Sequence, residues 1–174
     1  MTTASSKFDE YRAMYPAQKP NLQRKQFDDE LRPLALSEGL EELMFSAVRT
    51  YEVGTPPCDE KSKGINKYLW VVSQKSVPIA LEDLRPGVVL QRGYLSHTNL
   101  TGGDEAHCGG EVWFTDQSTV IVNGGSSRYR PRSSAELEKI AASFKSAGYR
   151  TATMGWNPET AVPFRALRGD PQWI

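Results

Sequence analysis

The feature that most constrains the fold is a series of short apolar runs with a period of two in the middle of the chain. Tyr68–Ser73 is rich in aromatic and β-branched residues, and Val77–Leu81 follows closely enough to be its hairpin partner. Two further runs, Glu111–Thr115 and Thr119–Asn123, flank a short polar turn. Strands joined by tight turns usually pair with their neighbours in sequence. This part of the chain therefore predicts an antiparallel sheet.

Three more segments extend the predicted sheet. After the turn at Pro86-Gly87, the runs Val88–Tyr94 and Leu95–Leu100 are interpreted as strands. A last strand, Tyr149–Met154, returns to the sheet. We expect roughly five to seven strands in a strongly bent sheet.

One long helix is predicted after the strands, and its signals are complete. Ser133 and Glu136 have the spacing of a capping box, and Gly148 is placed to end the helix. Its apolar residues recur at helical spacing, so that one face can cover the sheet: Leu137, Ile140, Ala141 and Phe144.

Before residue 55 the pattern is helical. Ser5 and Ser6 can cap a short helix that ends at Pro16, and a second short segment spans residues 22–31. The apolar stripe of Ser37–Tyr51 predicts a core-facing helix, with glutamates at its N-terminal end, where the helix dipole favours them. The first helix carries three aromatic residues on one face: Phe8, Tyr11 and Tyr15.

Together these patterns predict an α+β protein with two parts. Residues 1–55 form an N-terminal helical segment, and residues 66–174 form a β-rich domain with one C-terminal covering helix. The chain has 174 residues and equal numbers of basic and acidic side chains, 21 of each, so its net charge gives no general attraction to nucleic acids. No apolar run reaches the length of about 18 residues that a membrane span needs.

The start of the chain has no apolar signal core. A cytoplasmic protein is therefore expected. The alternative is export through a dedicated secretion system, which needs no such signal. The two cysteines, Cys58 and Cys108, are too few for a disulfide scaffold.

Most of the chemically versatile side chains lie between residues 95 and 131. His97 can serve as a general base or bind a ribose hydroxyl, or it can be a half-buried histidine bonded to the backbone. Glu111 follows two glycines and is either a catalytic carboxylate or an exposed charge at a strand end. Tyr129 can stack on a ligand ring or pack under the helix.

A second group of residues indicates an anion site. Ser126, Ser127, Arg128 and Arg130 lie just before the predicted helix start at Ser133, where unpaired N–H groups and guanidinium forks can bind phosphate. The alternative is a turn with solvated arginines.

No metal site is predicted. His107 and Cys108 are adjacent, which is poor spacing for ligands of one metal ion. Cys108 can also form a nucleophilic pair with His97, or it can simply pack beside the neighbouring glycines.

The order of these motifs resembles a domain shared by the plant IQ-motif-containing calmodulin-binding family and related bacterial proteins. Its histidine element is similar to His97-Thr98-Asn99-Leu100, its small-residue element to Gly109-Gly110-Glu111, and its third element to Ser126–Pro131. The opening strand is similar to Lys67–Ser73, and the likeness covers roughly residues 66–150. The third element departs from the family's Gly-His at residues 127–128. No IQ motif is present, so calmodulin binding is not expected.

The bacterial relatives in this resemblance are effector-like or toxin-like, which leads to two functional hypotheses. The first is an enzyme that transfers ADP-ribose from NAD, with His97 on the ribose, Tyr129 on the nicotinamide and Glu111 positioning the acceptor. The order of these residues differs from the familiar transferase fold, where the glutamate comes last. The second is a non-catalytic module that binds a small ligand, a target protein or a cognate inhibitor.

Overall fold

The computed structural model describes residues 4–24, 27–43 and 51–174. Its three α-helices are α1 (Ala4–Met14), α2 (His97–Thr101) and α3 (Ser134–Ser146). Its strands, in chain order, are β1 (Glu41–Glu42), β2 (Tyr68–Ser73), β3 (Pro78–Leu81), β4 (Ala106–Phe114), β5 (Thr119–Asn123), β6 (Arg150–Thr153), β7 (Trp156–Asn157), β8 (Val162–Pro163) and β9 (Gln172–Trp173).

Seven strands form the main sheet, in the order β1-β3-β2-β4-β5-β6-β9, and β7 and β8 form a separate hairpin. The α+β class is confirmed. Five of the six strand pairings in the main sheet are antiparallel, and β5 and β6 are parallel. The parallel pair follows from α3, because a helical crossover brings the chain back in the same direction.

The sheet buries both of its faces, because side chains alternate along each strand. On one face, Trp70 of β2 packs with Phe8 of α1 and Phe144 of α3. On the other face, Leu69 packs with residues that include Leu95 and Leu100, which lie in and beside α2. Trp70, Phe8 and Phe144 are fully buried, and each such side chain stabilises the fold by about 1.5–3 kcal/mol. The face with Leu69 also carries the candidate site.

Several local predictions are confirmed. β2 has the predicted bounds and pairs with β3 as a hairpin. The Ser133 hydroxyl accepts a hydrogen bond from the Glu136 N–H at 3.1 Å at the start of α3. Gly148 has a φ of +105° just beyond the helix, in the left-handed region that glycine tolerates best.

The helix predicted over Ser37–Tyr51 is wrong where it can be compared. Leu36–Glu38 is a single 3-10 turn, and Gly39, with a φ of +106°, ends it. Glu41–Glu42 then pairs with β3, so sheet pairing overrides the helical pattern. Residues 44–50 lie outside the described residues. In the segment predicted over residues 22–31, the structure has a 3-10 turn at Asp28–Leu31.

The strands predicted over Val88–Tyr94 and Leu95–Leu100 are also wrong. The first segment consists of turns and bends. The second contains the start of α2, because the Asn99 side chain accepts a hydrogen bond from the Ser96 N–H at 2.8 Å and caps the helix. His97 is therefore on a short helix and not on a strand.

Candidate functional site

His97 and Glu111 line one small cavity on the face of the sheet opposite α1 and α3. The cavity has a volume of about 100 Å³, and Ser127 and Arg128 also line it. Glu111 on β4 lies directly across from Leu69 on β2, which places it on this face. Two of the three predicted catalytic residues are thus brought together with two of the four predicted ligand-binding residues.

His97 is a neutral imidazole in this cavity. Its Nε2 lies 2.8 Å from the Gly110 carbonyl oxygen, which can only accept, so Nε2 carries the proton. Burial lowers the pKa of His97 to about 4. Within the described part of the chain, Nδ1 forms no hydrogen bond. The ring can therefore accept a hydrogen bond or a proton from a ligand at Nδ1.

Glu111 is a buried carboxylate with a close cationic partner. Its Oε2 lies 2.6 Å from the Lys67 Nζ, and its Oε1 lies 3.8 Å from an Arg165 nitrogen. A glycine is needed at Gly125, because a Cβ there would lie 2.2 Å from the Glu111 Oε1. The absence of a side chain at Gly125 therefore makes room for this carboxylate.

A second carboxylate shares the same ammonium group. The Glu82 Oε2 lies 3.2 Å from the Lys67 Nζ, and burial raises the pKa of Glu82. Glu82 and Lys67 flank the β2–β3 hairpin, so the sequence could have placed them together. Arg165, by contrast, comes from the irregular C-terminal part, and no local pattern placed it at the site.

Arg128 is held by protein groups along one side. Its Nη2 lies 2.7 Å from the Glu30 Oε2, and its Nη1 donates to the Asn21 carbonyl oxygen at 2.7 Å. Glu30 also pairs with Arg92 at 3.2 Å and is nearly inaccessible. These groups form a fixed wall between the cavity and a neighbouring one of about 240 Å³, which Arg92 and Arg128 also line.

Tyr129 does not line the cavity. It is fully buried in the cluster around Leu69, and its hydroxyl lies 2.7 Å from both the Thr101 hydroxyl and the Asp104 carbonyl oxygen. The aromatic side chain that does line the cavity is Tyr94, which is 38% exposed. Tyr129 is therefore placed for packing and cannot stack on a ligand in this arrangement.

The predicted anion site at the start of α3 is not formed. The Glu136 carboxylate already accepts from the Arg132 N–H and from the Tyr11 hydroxyl, the latter at 2.7 Å, so the helix start is occupied. Arg130 and Ser126 instead line a cavity of about 260 Å³ that also includes Arg165. The structure thus separates Arg128 from Arg130.

Cys108 is buried on the other face of the sheet, in the cluster around Trp70. Burial raises the pKa of its thiol strongly, so the thiolate is disfavoured. The Cys108/His97 pair considered above is therefore not formed. The described residues also contain no group of three or more histidine, cysteine, aspartate or glutamate side chains that could hold a metal ion.

No known protein family, curated protein or solved structure matches the chain. In the part of the chain that the structure describes, no helix is both long enough and apolar enough to cross a bilayer.

Proposed function

We propose that the chain binds a nucleotide-type ligand in this cleft and that its reaction is ADP-ribosyl transfer from NAD. One observation carries the proposal: the neutral His97 and the buried Glu111 meet in a polar cavity that shares Arg165 with one larger cavity and Arg128 with another. Ligand sites typically have volumes of about 300–1,000 Å³. The central cavity alone holds only the reacting end of such a ligand, and the cavity of about 260 Å³ beyond Arg165 holds the rest.

The chemistry requires a hydrogen-bond acceptor at the ribose and a carboxylate near C1′. The bond between the ribose C1′ and the nicotinamide nitrogen breaks, nicotinamide leaves with the bonding electrons, and the acceptor forms a new bond to C1′. His97 Nδ1 accepts a hydrogen bond from a ribose hydroxyl. Glu111 stabilises the positive charge that develops at C1′ and takes the proton from the acceptor. The ammonium group of Lys67 then keeps its ion pair with Glu82 and gives up the one with Glu111.

The experiment compares the parent protein with Glu111→Gln and His97→Gln in an assay for nicotinamide release. Glu138→Gln is the control, since Glu138 is exposed on α3, which covers the opposite face of the sheet. Each site variant should lower the rate by about 10²–10⁴-fold, and Glu111→Gln should largely keep the affinity for the ligand. Absence of nicotinamide release by the parent protein, with a range of acceptor proteins present, would contradict the proposal. So would a Glu111→Gln variant as active as the control.

A specific observation favours a second candidate, the non-catalytic binding module. The Lys67 ammonium group, 2.6 Å from Glu111, compensates the buried negative charge of that carboxylate. A carboxylate with a purely structural role needs such a partner. In that case Glu111→Gln lowers the melting temperature, and no turnover is found. The module would then bind its ligand, a target protein or a cognate inhibitor through the same cleft.

Under either candidate, the protein would act in a cytoplasm. As an effector or toxin it would reach the cytoplasm of a target cell through a dedicated secretion system. This role rests only on the motif pattern described for residues 66–150, and a secretion or toxicity assay in a recipient cell tests it.

A further inference from the structure

We propose that Arg130, Arg165 and Arg168 form a subsite for the phosphate groups of the ligand. The inference rests on the proposed nucleotide-type ligand and identifies the part of the chain that binds its charged end. The three arginines line the cavity of about 260 Å³ beside the central one.

The subsite lies where the loop after β5 meets the β7–β8 hairpin. Gly124 and Ser126 line it from the loop, and Pro163 lines it from the hairpin. The two segments are in close contact, because a Cβ on Gly124 would lie 3.1 Å from the Pro163 ring. The cavity is therefore built by two packed elements and does not depend on a single exposed turn.

The charge of this cavity is strongly unbalanced. Three arginines and one acidic residue, Glu60, line it, whereas basic and acidic residues are equal in number in the whole chain. Glu60 lies 4.0 Å from Arg168, and their side chains are 49% and 61% exposed, so this pair is weak. An anion entering the cavity meets guanidinium groups that internal carboxylates do not neutralise.

The individual arginines are placed to receive an anion. Within the described residues, Arg130 forms no ion pair, and it is exposed. The guanidinium of Arg168 lies 4.3 Å from the centre of the Phe164 ring, which orients it without using its hydrogen-bond donors. Guanidinium forks of this kind bind phosphate through two parallel hydrogen bonds.

Arg165 connects the subsite to the central cavity. It lines both cavities, is 51% exposed, and its nearest carboxylate is Glu111 at 3.8 Å. Phosphates bound by Arg130 and Arg168 would draw Arg165 towards them. A ligand whose phosphates occupy the subsite would then extend past Arg165 towards His97. Pyrophosphate joined to a ribose has the required chemistry.

The test is titration calorimetry of the parent protein with inorganic pyrophosphate, ADP-ribose and NAD. The variants are Arg130→Gln, Arg168→Gln and His97→Gln. Arg150→Gln is the charge-matched control, since Arg150 is exposed and stacks on Trp173, away from both cavities. Each subsite variant should weaken pyrophosphate and ADP-ribose binding by about tenfold or more, the loss expected for a charged hydrogen bond. The control should bind as the parent does.

The outcomes separate the subsite from the proposed function. Binding of ADP-ribose that depends on His97 but is unchanged in both arginine variants overturns the subsite and leaves the function standing. Binding of pyrophosphate that depends on Arg130 and Arg168, with neither ADP-ribose nor NAD bound, supports the subsite and overturns the nucleotide proposal. If the parent protein binds none of the three compounds, both are overturned.

Discussion

Glu30→Gln should destabilise the protein much more than the loss of an ordinary ion pair. The Glu30 side chain is 1% exposed and lies between Arg128 at 2.7 Å and Arg92 at 3.2 Å. Glutamine keeps the shape but removes the charge, which leaves the buried Arg128 guanidinium uncompensated. Breaking one buried pair in this way costs about 3–5 kcal/mol.

The contribution of Arg92 is smaller, because its side chain is 27% exposed and solvent screens it. We therefore expect a loss of about 3 kcal/mol in the free energy of unfolding, near the low end of the range, since the glutamine oxygen still accepts one hydrogen bond. For a chain of this size the loss corresponds to a fall of roughly 6–12 °C in melting temperature.

The measurement is urea unfolding of the parent protein and Glu30→Gln, with Asp83→Asn as the matched control. Asp83 is even closer to its partner, Lys63, at 2.6 Å, but these side chains are 72% and 55% exposed. The control should lose less than about 1 kcal/mol. Equal losses in the two variants would refute the reasoning, because they would show that burial does not set the strength of the pair. A double-mutant cycle of Glu30→Gln with Arg128→Met isolates their coupling.

Three further outcomes are expected. Gly125→Ala should lower the rate of nicotinamide release, as Glu111→Gln does, because its Cβ would lie 2.2 Å from the Glu111 Oε1 and would displace that carboxylate. Burial lowers the pKa of His97 to about 4, so the stability that the neutral ring contributes is complete above about pH 6.5 and is lost as the pH falls towards 4. The midpoint of urea unfolding should fall over the same pH range, and His97→Gln should reduce this pH dependence. Iodoacetamide should modify the exposed Cys58 in the native protein and reach the buried Cys108 only after unfolding, as read by mass spectrometry.

Much of the sheet could be predicted because its signals are local. The β2–β3 hairpin joins segments that are close in sequence, and the cap of α3 depends on Ser133 and Glu136, three residues apart. The start of α2 also has a local signal, Ser96 with Asn99, which the interpretation of Leu95–Leu100 as a strand overlooked. A helix of five residues is too short to show the helical periodicity that would have supported the cap signal.

The candidate site could be predicted only in part, because its contacts are distant in sequence. The sequence grouped His97 and Glu111 by residue type and proximity, and both line one cavity in the structure. It gave no indication that Arg128 would pair with Glu30, 98 positions earlier, or that Arg165 would reach the cavity. It also left open whether Tyr129 would pack or stack, a choice that depends on the positions of Thr101 and Asp104.

The segment after α1 forms hydrogen bonds with the loop at residues 128–130, which is more than 100 positions away in sequence. The Gln18 amide donates to the Arg130 carbonyl oxygen, 112 positions later, and Arg128 donates to Asn21, 107 positions earlier. Contacts of such high order form slowly, since the chain must close a long loop first. On the ribosome, the N-terminal segment therefore emerges long before its partner, and these contacts form only after residues 128–130 have also emerged.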